Sequence, residues 1–190
     1  MAGYIGSKAA VTQVDGYTQT EAESRYANVS GDTFTGAVTG TDLTLSGGVY
    51  LGGTGSANKL DDYEEGTWTP VINVGSITIN YAQYVKVGSL VTVTTDLSDI
   101  TNYTSTSDMT ISGLPFNTSS GGRFTGSMMF RYLNAPTNYT QLTPYIGHNS
   151  STLSFYWSSD SGGTWDGMRF ADATQSNWDI YFTMTYRTDA

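Results

Sequence analysis

The chain has 190 residues and a formal net charge of −9, enough for one domain plus extensions at roughly 100–200 residues per domain. Charged residues make up 13% against a usual value of roughly 25%, while Tyr alone occurs 14 times, so surface polarity has to come from Ser, Thr, Asn and Gly. The negative charge opposes binding to nucleic acid or to an anionic membrane surface, and zero cysteines with a single histidine exclude disulfides, thiolate metal sites and multi-histidine metal sites.

The first residues, MAGYIGSKAA, lack the apolar stretch of a signal peptide, and no segment has the length of a spanning helix, so membrane insertion is not expected. Residues 1–16 show no sustained hydrophobic period and need a partner for order. Residues 17–26 predict one short helix. Thr18 with Glu21, or Thr20 with Glu23, has capping-box spacing, and Glu21 can pair with Arg25 one turn on. So short a helix is marginal alone, because nucleation is costly. Residues 28–36 read as two Gly-punctuated turns.

From 37 to 51 apolar residues alternate (Leu43, Leu45, Val49, Leu51), the period of a half-buried strand. One or two such strands are not stable by themselves. Two arrangements are open: a shaft wound from three copies, or a hairpin packed on the domain that follows. Residues 52–56 predict a flexible joint. The nearby Lys59 lacks the G-x-x-x-x-G-K-[ST] spacing of a phosphate loop.

Asp61, Asp62, Glu64 and Glu65 then place four carboxylates in five positions, ahead of Trp68 and Pro70. By spacing alone this is a solvated acidic turn capping the first strand. Strand-like segments follow at 68–74, 77–87, 90–97, 109–111, 123–132, 142–146, 153–157 and 178–186, rich in β-branched and aromatic residues. Gly88-Ser89 reads as a two-residue hairpin turn, and Pro115 breaks a run because it cannot donate to a ladder. The expected fold class is mostly β: a short helix and β shaft, then an antiparallel β-sandwich or jelly roll.

Catalysis is poorly supported. Glycoside cleavage needs two carboxylates about 5–9 Å apart across a sugar, a geometry that one acidic turn does not supply. The spacing of a calcium loop is missing, and His148 has no G-x-S-x-G nucleophile elbow. No enzyme, cofactor or metal is expected. Binding is better supported. YWSSDSGGTW, residues 156–165, sets Asp160 and Trp165 around a Gly-containing loop, with Asp166 and Arg169 just after. Aromatic faces stack on sugar rings while carboxylate and guanidinium groups fix hydroxyls, so these four are candidate glycan contacts. Tyr139, in the loop NAPTNY, is expected to be exposed on similar grounds, whereas Trp157 and Trp68 are expected in structural positions.

The words LDDYEEGTWTP (60–70), YVKVG (84–88) and SGLPF (112–116) resemble a C-terminal module of bacteriophage tail-fibre and related virion fibre proteins. YTQTEAESRYANVSGDTFTG (17–36) resembles a short repeat of phage tail fibres. The resemblance implies a virion attachment segment at 1–36 (Tyr17, Glu21, Arg25, Tyr26), a short shaft at 37–58 and a head at 59–190, assembled as a homotrimer. It further implies contacts with other virion proteins and with a host-surface glycan or protein, in a particle assembled in the bacterial cytoplasm. A capsid decoration or head-fibre protein is the alternative; a depolymerase comes third.

Overall fold

The structure is a computed structural model, and it describes residues 34–160 and 163–189. The helix expected over 17–26, with Tyr17, Glu21, Arg25 and Tyr26, lies outside the described residues. The chain divides into two units, residues 1–44 and 45–190. Within the first, residues 34–44 carry no regular secondary structure and leave Phe34, Val38 and Leu43 exposed.

The second unit opens with a hairpin in which β1 (Val49–Tyr50) pairs antiparallel with β2 (Lys59–Leu60). Its turn closes through a 3-10 segment, Ser56–Asn58, with the Leu51 N–H donating to the Asn58 carbonyl at 2.8 Å. The expected joint at 52–56 is therefore part of a turn. The alternating run of 37–51 becomes strand only at Val49–Tyr50, because within one chain only β2 is at hand to take its ladder hydrogen bonds. Leu43 and Leu51 are left 73% and 61% exposed.

The rest forms one antiparallel sheet: β3 (Tyr63–Thr67), β4 (Val71–Ile72), β5 (Thr78–Val87), β6 (Leu90–Ile100), β7 (Thr110–Ser112), β8 (Phe124–Arg131), β9 (Tyr139–Ile146), β10 (Leu153–Ser159), β11 (Trp165–Gly167) and β12 (Trp178–Arg187). The order is β3-β5-β6-β12-β8-β9-β10-β7-β4, with β11 added on β10. β5 and β6 meet at Gly88-Ser89, as expected, Gly88 taking a φ of 56° that side-chain-bearing residues rarely adopt.

The sheet must curl. Its first and last strands, β3 and β4, are joined by residues 68–70 alone, a reach of at most about 14 Å. Eight flat interstrand gaps would set them about 38 Å apart. The turnover falls on β8, which pairs with β12 through Gly126–Arg131 but with β9 only through Phe124 and Thr125. Next along β9 comes Pro144, which has no N–H to continue that ladder. Gly126 lies so close to β12 that a Cβ there would run into the Thr183 carbonyl.

The core fills the inside of the curl. Alternation on β6, β10 and β12 turns Val91, Val93, Leu97, Leu153, Phe155, Trp157, Ile180, Phe182, Met184 and Tyr186 inward. Trp157 is 1% exposed, in the structural position expected. Trp68 is buried too, but it corrects the expected strand at 68–74. Pairing begins five residues earlier at Tyr63, and Trp68 lies in the crossing between the sheet's two edges. β11 was not anticipated.

Candidate functional site

The acidic stretch is accounted for inside the molecule. Asp61 pairs with Lys59 at 2.8 Å, and Asp62 with Lys86, a buried lysine whose ammonium also lies 5.4 Å from the Phe116 ring centroid. Glu64 accepts from the Tyr84 hydroxyl, and Glu65 accepts from Tyr63 at 2.8 Å. The hydrogen bond from Lys59 holds the Asp61 carboxyl below its usual range, and those to Glu65 and Glu64 hold the Tyr63 and Tyr84 phenols above theirs. Gly66 is where the Tyr84 ring crosses the strand, since a Cβ would come within 3.0 Å of it. Gly113, at φ 93°, passes against the Thr69 carbonyl, and Tyr84 stacks edge-on to Phe116 at 5.6 Å. The words LDDYEEGTWTP, YVKVG and SGLPF thus meet at one corner, where the curled sheet brings its two edges together.

The second concentration of functional groups lies on the outward face of β9, β10 and β11. Inward Leu142, Ile146, Leu153, Phe155 and Trp157 force their neighbours outward, so Tyr145 and Tyr156 point away from the core, each half-buried. β11 pairs Trp165 with Ser158 and Gly167 with Tyr156, which puts Trp165 on that same face. The three rings form a diagonal across three strands: Tyr145 to Tyr156 at 5.4 Å and Tyr156 to Trp165 at 6.2 Å, both edge-on. Trp165 is 68% exposed.

Charged groups flank this ledge. Asp108 bridges to Arg169 and lies over Gly167, where a Cβ would come within 2.5 Å of its carboxylate. The Arg169 guanidinium is 3.8 Å from Asp108 and 3.7 Å from Asp166. Its backbone is fixed by Asp172, which accepts from the Arg169 N–H at 2.9 Å and from the buried Trp157 indole at 2.8 Å. The exposed end of the ledge is therefore tied to the core through Asp172.

Of the residues expected from sequence, Trp165 and Arg169 lie here, while Asp166, paired in register with inward Trp157, falls on the other face of β11 and meets only Arg169, at 3.7 Å. Asp160 stands two residues beyond Ser158, its N–H donating to the Asn138 carbonyl at 2.8 Å. Tyr139 is a correction. It begins β9, half-buried against the core, because the Pro136–Tyr139 turn directs it inward. Tyr145, Tyr156 and Asp108 were not anticipated. The alternation in 142–146 and 153–157 carried the signal for the two tyrosines, whereas Asp108 reaches the ledge through a tertiary bridge that has no sequence period.

A shallow concavity of about 530 Å³ lies on the outward face of β5, β6, β12 and β8, lined by Tyr81, Thr94, Asp96, Met129, Tyr181 and Thr183 among others. None of the expected contact residues is there. Among the described residues no group of three or more His, Asp or Glu side chains is disposed to hold a metal. Comparison with known proteins finds no matching family model, no matching curated protein and no matching solved structure.

Proposed function

We propose that this chain is a bacteriophage virion protein: a homotrimeric tail fibre whose head is a β-sandwich, the two parts of the curled sheet forming its layers. It adheres to a glycan on the host surface, and the ledge is the contact. The observation that carries this reading is the outward diagonal Tyr145–Tyr156–Trp165, ending in the most exposed aromatic among the described residues. Trp165, exposed and braced edge-on by Tyr156 on a rigid sheet, offers a ring to a sugar at little entropic cost, since few rotors have to be frozen.

Two further observations support it. The three words that resemble the virion-fibre module meet at one corner, as a fold signature should. Val38 and Leu43 of the first unit and Leu45, Val49 and Leu51 of the second are each exposed in a single chain, apolar side chains that three copies wound together would cover. Residues 1–36 would hold the virion, and three heads per fibre would turn weak contacts into avidity.

The test has two arms. Light scattering on the full chain should return three times the protomer mass. The full chain added to host cells should block phage adsorption, and Trp165→Ala should not. Binding to empty capsids with a gain in their heat resistance, and no competition for cells, would replace this reading with capsid decoration.

A further inference from the structure

We infer that the shallow concavity on the outward face of β5, β6, β12 and β8 binds a small organic ammonium group, of the kind that ends a choline or ethanolamine head group. The site is separate from the ledge. Strand register assembles it: Tyr81 on β5 and Tyr181 on β12 are both direct partners of Asp96 on β6, and Met129 on β8 is the direct partner of Tyr181. One row across the sheet therefore reads Tyr81, Asp96, Tyr181, Met129, with the carboxylate between two phenols. The next row, Thr94, Thr183 and Ser127, adds hydroxyls to the lining. Direct cross-strand partners hold their Cβ atoms about 4.5–5.5 Å apart. A cation seated on Asp96 thus has a tyrosine on either hand, and aromatic rings attract cations out to about 6 Å.

Asp96 is not answered inside the fold. Its Oδ1 accepts from the Asn80 amide at 3.1 Å, while its Oδ2 has no partner among the described residues. Neither phenol hydroxyl is spent on it, because Tyr81 donates to Gln83 at 2.5 Å and Tyr181 to Asp179 at 3.3 Å. Arg131, two residues along β8 from Met129, is held by Asp179 at 2.5 Å. Lys59 and Lys86 are taken by Asp61 and Asp62 at the corner. A carboxylate offers about four lone-pair positions, so Asp96 has room for an ammonium.

The lining sets the ligand class. A hard metal ion wants several oxygen ligands, and this row supplies one carboxylate. Tyr81, Tyr181 and the exposed Met129 suit instead the carbon substituents of an organic cation. The volume of about 530 Å³ falls in the range of small-molecule sites.

The experiment is titration of the full chain with choline and with ethanolamine, followed by NMR line broadening of the ligand. Each is set against its uncharged isostere, dimethylbutanol for choline and propanol for ethanolamine. At least one cation should bind about fivefold more tightly than its isostere, the factor that attraction to one carboxylate at roughly 4 Å gives in water. Asp96→Asn should abolish that preference without moving the unfolding midpoint, since Asn keeps an oxygen for Asn80. Tyr81→Ala should weaken cation binding about two- to fivefold, and Trp165→Ala should leave it unchanged.

Isosteres bound as well as the cations, or a preference that survives Asp96→Asn, would overturn the inference. So would cation binding untouched by Tyr81→Ala, cation binding lost with Trp165→Ala, or no binding of either cation. None of these outcomes bears on host adhesion through the ledge.

Discussion

The corner where β3 meets β5 and the ledge across β9, β10 and β11 are both built from tyrosines and carboxylates, yet they use them in opposite ways. At the corner each carboxylate faces a partner in the same chain: Asp61 with Lys59, Asp62 with Lys86, Glu64 with Tyr84 and Glu65 with Tyr63. At the ledge Trp165 and Asp160 are exposed, and Asp108 and Asp166 share the one guanidinium of Arg169. Two acidic, aromatic patches of similar composition therefore have different roles, and what separates them is whether the polar groups are satisfied within the fold. The corner stabilises the closure of the sheet. The ledge has capacity left for something else.

That contrast can be broken in several places. The largest effect belongs to the core beneath the ledge. Trp157→Ala should cost about 3–5 kcal/mol, the range for emptying a buried aromatic site, read from denaturant midpoints. Next comes Gly113→Ala at the corner. Its φ of 93° and its contact with the Thr69 carbonyl leave no room for a Cβ, so a loss of about 2–3 kcal/mol is expected from strain of this kind. Asp62→Ala should cost about 1–2 kcal/mol, less than a fully buried pair because Asp62 is 43% exposed. Adding Lys86→Met should recover most of it, since the uncompensated buried ammonium is then gone. If the double variant is no more stable than the single, the pair is not what holds β3 in place.

Alkali probes the same corner more gently. The Tyr186 hydroxyl donates to the Phe116 carbonyl at 3.1 Å, and burial pushes the phenol well above its ordinary value near 10. Below about pH 10 the phenol is neutral in both folded and unfolded chains and does not bias the equilibrium. Above that, the unfolded chain releases the proton while the folded chain retains it, so stability should fall as pH rises. On the acid side the Lys59–Asp61 pair works in the other direction. The Asp61 carboxyl is lowered on folding, so its contribution is lost as pH falls through the carboxylate range. As an exposed pair it should matter little. The smallest effect is reserved for Trp165→Ala, which should leave the unfolding midpoint within about 0.5 kcal/mol of the natural chain. A larger loss would mean that Trp165 is part of the packing and that the contrast between corner and ledge is false.

How much of this could be read from the chain differs between the two regions. The strands from 78 onward were legible because alternation reports the buried face directly, and Gly88-Ser89 because a tight turn needs a residue free to take positive φ. Trp157 and Trp165 were told apart by the same rule: one follows the inward period of β10, and the other falls in a Gly-containing loop. Tyr139 departs from the expectation because a loop position does not fix exposure: a single turn over Pro136–Tyr139 brings its ring against the core. The β-branched neighbours of Trp68 predict a strand there, but the crossing from one sheet edge to the other runs through it.

The sequence by itself determined a hydroxyl-rich, mostly β protein, the approximate strand positions, and the separation of one buried tryptophan from one exposed one, since all of these follow from local periodicity and composition. The tertiary structure alone decided that the sheet curls over at Gly126 and Pro144 and that the acidic stretch is answered by Lys86 and Tyr84 from a strand about twenty residues on. It alone also set Asp108 beside Arg169, some sixty residues apart. Local pattern fixes which way a side chain points; which group it finally meets depends on how distant strands are brought into register.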